Sequence, residues 1–209
     1  MPRLCRFALA GLLVALLSVF ALPAFAADDS GGAAEGSDGP DPMERQLAVL
    51  ETTAGTMVFE LFADRAPETV ANFIRLIGDD FYDGQPFYRV VAGHVIQAGD
   101  GGENDQPTVK GEFGVEHLEG TLGLARDTDP DSGSTEIYVC LEPRPHLDGH
   151  YAAFGQLVEG RDVLHAIGSA PVTEKFLEGD IAFHEPKEPV TIVDARLRIE
   201  PADDAPSTP

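Results

Sequence analysis

The sequence predicts a mainly β domain with two short helices, built either as a closed antiparallel barrel or as a sandwich. Short runs rich in Val, Ile, Thr, Tyr and Phe recur along the chain, and glycine bounds most of them. Only two segments carry apolar residues at helical spacing. The foldable stretch, residues 46–200, is about 155 residues long, which suits one domain with one core. Counting strands does not by itself choose between barrel and sandwich.

Residues 46–52 and 56–62 alternate around Ala54-Gly55, a two-residue hairpin signal. A helix is predicted over 64–78. Pro67 suits its first turn, where a missing N–H costs nothing, and Gly78 suits its end. Val70, Phe73, Ile74 and Ile77 fall at i, i+3, i+4 and i+7 and form one apolar stripe. Strands then recur near Phe87, His94, Thr121, Glu136 and Ala153. Residues 160–167 make a second short helix with Val163, Leu164 and Ile167 inward. The last strand, 189–199, alternates through Val190, Ile192, Ala195 and Leu197, and its phase slips near Asp194.

The ends of the chain read differently. Arg3 and Arg6, an apolar run from Phe7 to Leu22, Pro23 and Ala24-Phe25-Ala26 form the pattern of a cleavable secretory signal peptide over residues 1–26. The run approaches the length of a membrane span, but Pro23 and the small-residue cleavage site favour removal over anchoring. Residues 27–45 and 201–209 are rich in Gly, Asp, Ser and Pro and offer little to bury, so they read as a disordered linker and tail. An exported, periplasmic, monomeric protein with no stable membrane insertion is the expectation. The formal net charge of −22 disfavours nucleic acid and anionic lipid as partners. Beyond the leader only Cys140 remains, so no internal disulfide can form, and it reads as a small buried hydrophobe.

No metal or cofactor is expected. Asp127, Asp129 and Asp131 alternate like the opening of a calcium loop, but the sixth and twelfth positions are Ser132 and Tyr138 where such a loop needs Gly and Glu. His94, His117, His146, His150, His165 and His184 take no metal-helix spacing.

The run FYRVVAGHVIQAGD, Phe87 to Asp100, carries the chemistry. Two apolar strands joined at Ala92-Gly93 hold one arginine, Arg89, and one amide, Gln97. An arginine in such a strand either snorkels to solvent or is held by partners for a purpose. The run closely resembles the signature of the cyclophilins, a family of peptidyl-prolyl cis-trans isomerases. FELFADRAPETVANF (59–73), GTLGLARDTDPDS (120–132), EIYVCL (136–141) and HLDGHYAAFGQLVEG (146–160) resemble further blocks of that family in order and spacing. The resemblance runs from about Leu47 to Glu200. It implies a closed eight-stranded antiparallel barrel capped by two short helices, with a substrate groove on the outer surface.

The activity so implied requires neither nucleophile nor metal. Rotating a peptide bond costs about 18–20 kcal/mol because amide resonance is lost. A catalyst must bind the twisted amide better than the planar one, by about 1.4 kcal/mol for each tenfold gain in rate. Arg89, permanently charged with a rigid fork of N–H donors, suits that task, and Gln97 suits holding it. From the resemblance come the substrate-binding residues: Val95, Tyr138 and Leu147 in a proline pocket, His94 and His146 at its rim, and Ala125 and Arg126 where backbone meets the peptide. Three departures stand out. His94 replaces a common phenylalanine, Tyr151 a frequent histidine, and Glu136 a glutamine. Glu136 is expected to bring negative charge onto Arg89 as an ion pair, so that Glu136→Gln would raise kcat/KM. The expected partners are proline-containing unfolded or flexible polypeptides, with isomerisation serving the folding of exported proteins. The alternative is a low-activity proline-peptide-binding chaperone module of the same fold.

Overall fold

Residues 44–99, 106–177 and 181–201 are described in the computed structural model, all within the unit Gly39–Pro209. The leader, nearly all of the linker and of the tail, and Asp100 of the signature run lie outside the described residues. No helix among the described residues is long and apolar enough to cross a membrane.

The chain opens with β1 (Glu44–Thr52) and β2 (Gly55–Leu61), an antiparallel pair. β1 begins two residues inside the expected linker, because Arg45 already forms a two-pronged ion pair with Glu60 of β2, at 3.0 and 2.7 Å. Helix α1 (Pro67–Gly78) starts later than expected, with Pro67 in its first turn and residues 64–66 outside it. Ala66 cannot cap it. The carboxylate of Glu112 does so instead, accepting from the backbone N–H groups of Glu68 and Thr69 at 3.1 and 2.8 Å.

Then come β3 (Arg89–Val91), β4 (Val95–Ala98), β5 (Thr121–Leu124), β6 (Ile137–Cys140) and β7 (Ala152–Glu159). A single 3₁₀ turn, Pro145–Leu147, precedes β7, and α2 (Arg161–Gly168) follows it. The chain ends in a hairpin of β8 (Val172–Leu177) and β9 (Ile181–Pro186), then β10 (Ile192–Pro201). The predicted slip near Asp194 is a bulge: Glu51 faces Asp194, the next residue, Thr52, faces Ile192, and Val193 is skipped.

Eight strands form one antiparallel sheet in the order β10-β1-β2-β7-β5-β6-β4-β3. This corrects the expectation of a closed barrel. The sheet is an open half-barrel, because its edge strands β3 and β10 are not joined by a ladder. Across the gap are an isolated bridge, Pro86 to Thr191, and backbone hydrogen bonds from Phe87 N–H to Val190 C=O (2.8 Å) and Ile192 N–H to Gln85 C=O (2.9 Å). The local cause is that Pro86 has no N–H to give and β3 is only three residues long.

One large core fills the concave face. It takes Leu50, Phe59, Ile96, Leu122, Ile137, Val139 and Phe154 from the sheet, Val70, Phe73, Leu76 and Ile77 from α1, and Val163, Leu164 and Ile167 from α2. A second, smaller cluster (Val95, Tyr138 and Cys140) sits apart from it, with Ala125, Leu147 and Tyr151 packed against it.

Candidate functional site

That second cluster is the floor of the candidate site, and strand periodicity puts it there. Along β6, Ile137 and Val139 enter the main core while Tyr138 and Cys140 enter the small cluster; along β4, Ile96 and Ala98 do the former and Val95 the latter. Gln97 shares Val95's face. Register then lines up a row across four strands: Arg89 opposite Gln97, Gln97 opposite Tyr138, Tyr138 opposite Gly123. Gly123 has no side chain for a physical reason, since a Cβ there would overlap the Tyr138 ring.

Above this row lies a cleft of about 350 Å³. Ten of the eleven residues expected to form the site line it: Arg89, His94, Val95, Gln97, Ala125, Arg126, Glu136, Tyr138, Leu147 and Tyr151. The eleventh, His146, is exposed on the 3₁₀ turn with its ring centroid 5.6 Å from that of His94, so the two histidines meet at the rim. Asp127, Ser132 and Ser134 also line the cleft without having been singled out as site residues.

The polar wall is a chain of hydrogen bonds. Arg89 Nη1 donates to Gln97 Oε1 at 3.0 Å, and Gln97 Nε2 donates to Glu136 Oε2 at 2.6 Å. The hydroxyl of Tyr88 donates to the same carboxylate oxygen at 2.8 Å. The expected ion pair between Glu136 and Arg89 is therefore corrected. Gln97 stands between them, because the β3–β4 register sets the amide directly against the guanidinium.

Other members of the site are held as firmly. Arg126 gives Nε and Nη2 to the carbonyl of His150 at 2.9 and 2.7 Å, and its guanidinium lies 4.6 Å from the centre of the Tyr151 ring. Its charge thus holds the rim loop together. Burial first, then the positive charges of Arg144, His146 and Arg89, lowers the pKa of His94 below the ordinary histidine value. Its Nδ1 is buried without a partner, which suits a neutral ring carrying its proton on Nε2. Burial pushes the Cys140 thiol up to about 12, so the cysteine is inert at neutral pH.

His117 was weighed in the sequence only as a metal ligand. It is buried beneath the cleft, with Nε2 2.8 Å from the Tyr138 hydroxyl and Nδ1 2.9 Å from Asp148 Oδ1. Its partners lie 21 and 31 residues away, so no local spacing marks it. The signal that could have raised it is the polar hydroxyl of Tyr138 in an otherwise apolar strand, which requires a buried partner.

Two of the three aspartates of the 127–131 loop have structural partners, while Asp127 lines the cleft. Asp131 accepts from Gly111 N–H at 2.9 Å, and Asp129 accepts from Asp131 N–H at 3.0 Å.

Comparison with known proteins agrees with this architecture. Residues 47–197 match the family described as cyclophilin type peptidyl-prolyl cis-trans isomerase/CLD. A peptidyl-prolyl cis-trans isomerase of Synechococcus elongatus is 41% identical over 123 residues, covering 52% of this chain and 78% of the relative. One from Acinetobacter baylyi is 29% identical over 164 residues, covering 73% and 85%. Among solved structures, a cyclophilin type peptidyl-prolyl cis-trans isomerase of Cryptosporidium parvum superposes with a TM-score of 0.66 at 23% identity. It covers 75% of this chain and 99% of that one, a likeness of fold.

Proposed function

Since this chain belongs to the cyclophilin-type peptidyl-prolyl cis-trans isomerase family, we propose that it turns over X-Pro bonds in the cleft above Tyr138, with Arg89 as the donor to the twisted amide. The observation that carries this reading is the Arg89–Gln97 hydrogen bond at the edge of a small apolar floor. The floor suits a pyrrolidine ring, and the guanidinium beside it suits a developing nitrogen lone pair. Gln97 takes one arm of the guanidinium fork and so fixes its plane. Leu147 and Val95 would flank the ring, while His94 and His146 would bound it at the rim.

The substrates we propose are proline-containing segments of unfolded or flexible polypeptides, and the role is in the folding of exported proteins. The signal-like leader of residues 1–26 supports export to the periplasm, and the acidic surface charge supports a freely soluble, monomeric enzyme.

Protease-coupled isomerisation of a Pro-containing peptide tests the reading. Arg89→Ala is expected to lower kcat/KM by about a hundredfold or more with unchanged thermal unfolding. Arg89→Lys falls nearly as far, because a point charge does not reproduce the fork. Wild-type turnover retained by a folded Arg89→Ala protein would overturn the assignment. Peptide binding by the wild type without turnover would instead indicate a holding module.

A further inference from the structure

We infer that Glu136 is a positioning residue: its carboxylate, held by Tyr88, fixes which way the Gln97 amide faces and thereby sets the Arg89 guanidinium. The inference rests on the reading of Arg89 as the donor to the twisted amide.

A glutamine amide fits the same space in two orientations, with its oxygen and nitrogen exchanged. Here the two ends of Gln97 meet groups of opposite character. Nε2 lies 2.6 Å from a carboxylate oxygen of Glu136, and Oε1 lies 3.0 Å from Nη1 of Arg89. An ionised carboxylate only accepts and a guanidinium only donates. The reversed amide would set acceptor against acceptor at one end and donor against donor at the other. Both ends therefore select one orientation. With glutamine at 136, the facing group could itself rotate to suit either choice, and the selection at that end would be lost.

The carboxylate is in turn held by a second donor. The Tyr88 hydroxyl donates to the same oxygen, Glu136 Oε2, at 2.8 Å. Its ring stacks on Phe183 of β9, with centroids 6.1 Å apart and planes 14° from parallel. This aromatic contact links the β8–β9 hairpin to the catalytic wall. Every donor in the wall points toward the carboxylate: Arg89 to Gln97, Gln97 to Glu136, Tyr88 to Glu136. The negative charge lies one side chain away from Arg89. There it strengthens Gln97 Oε1 as an acceptor without occupying the guanidinium.

A double-mutant cycle in the full-length protein tests this. Glu136→Gln is expected to lower kcat by about fivefold or more, on the scale of one lost hydrogen bond to a charged group, with KM little changed. In a Gln97→Ala background the same substitution is expected to change nothing, because there is no amide left to orient. Tyr88→Phe should show a smaller loss that likewise vanishes without Gln97. In ¹⁵N-labelled wild type, one Gln97 side-chain amide proton is expected far downfield, and Glu136→Gln should return it to the ordinary range. Equal loss in both backgrounds would mean that Glu136 touches substrate directly, and a rise or no change in kcat would mean that the carboxylate positions nothing; either overturns the inference. If Arg89→Ala proves as active as wild type, the reading of Arg89 falls, and the amide resonance still decides whether Glu136 orients Gln97.

Discussion

The hydroxyl of Tyr138 and the ring of His117 share a hydrogen bond whose direction is fixed on the far side of the imidazole. Asp148 offers His117 Nδ1 a carboxylate oxygen at 2.9 Å, and a carboxylate only accepts, so Nδ1 carries the proton. In the neutral tautomer Nε2 is then the acceptor, and Tyr138 donates to it at 2.8 Å. The hydrogen bonds from the His117 ring and backbone N–H groups hold the Asp148 carboxyl below the usual carboxylate range, which keeps the anchor ionised at neutral pH. Burial raises the Tyr138 pKa, which keeps the hydroxyl protonated. Asp148 and Tyr138 are therefore each in the form that this direction of hydrogen bonding uses. Tyr138→Phe preserves the ring that floors the pocket but strands a buried nitrogen, since His117 is 1% exposed. Leaving a buried acceptor unpaired costs about 1–3 kcal/mol, so the variant is expected to unfold at correspondingly lower urea concentration. Unchanged urea unfolding would mean that the hydroxyl contributes nothing net. Phenylalanine is larger in apolar character, so some activity is expected to survive the loss of stability.

At the scale of elements, the site is a consequence of four strands keeping register, and β5 is the one whose contribution is least visible. Gly123 lies opposite Tyr138, and the tyrosine ring occupies the space that any side chain there would take. Gly123→Ala must push the ring upward into the cleft. Overpacking of this kind costs about 1–3 kcal/mol, and here it also fills the floor of the cleft. The expected result is a folded protein with lower stability and a raised KM, measured by thermal unfolding and by the isomerisation assay; a KM equal to wild type would show that the ring yields sideways. The sequence made the β4 and β6 pattern legible, because a two-residue period is a local property and the signature run and the block EIYVCL cover the two strands. It also marked the bulge near Asp194 by a slip in phase. The β8–β9 hairpin went unread, since VTEKFL and IAFHEP mix charges and apolar residues without a sustained alternation. The expected ion pair between Glu136 and Arg89 fails for a related reason. Its sequence position shows a carboxylate near an arginine, while only the strand register shows that an amide intervenes. The missing closure of the barrel belongs here too, because whether two edges form a ladder depends on how Pro86 and Thr191 meet across more than a hundred residues.

For the molecule as a whole, the dominant quantity is charge. The chain carries 36 acidic against 14 basic residues, and most of those acids lie in the folded stretch. Several bases are already committed to local pairs. Arg45 holds Glu60, Arg196 holds Glu51 at 2.7 Å, Arg198 holds Glu200 at 2.8 Å, and Arg161 and His165 both reach Glu119. Exposed pairs of this sort contribute about 0–1 kcal/mol each, and salt weakens them. The unpaired acids oppose them by repelling one another across the surface, and salt weakens that as well. The balance decides the sign of the salt effect. Basic residues are outnumbered more than two to one, so even complete pairing would leave a formal charge of −22 to be screened. The Debye length falls from about 30 Å at 0.01 M to about 10 Å at 0.1 M salt. The first of these spans a domain of this size and the second does not. Repulsion among distant acids is therefore screened before contact pairs at 3 Å or so are. The melting temperature is expected to rise with sodium chloride, most steeply below about 0.1 M, and then to level off. Scanning calorimetry across that range checks it. A melting temperature that falls as salt is added would mean that the ion pairs along β1, β2 and β10 outweigh the surplus charge, and that this acidic chain is held together by its few bases.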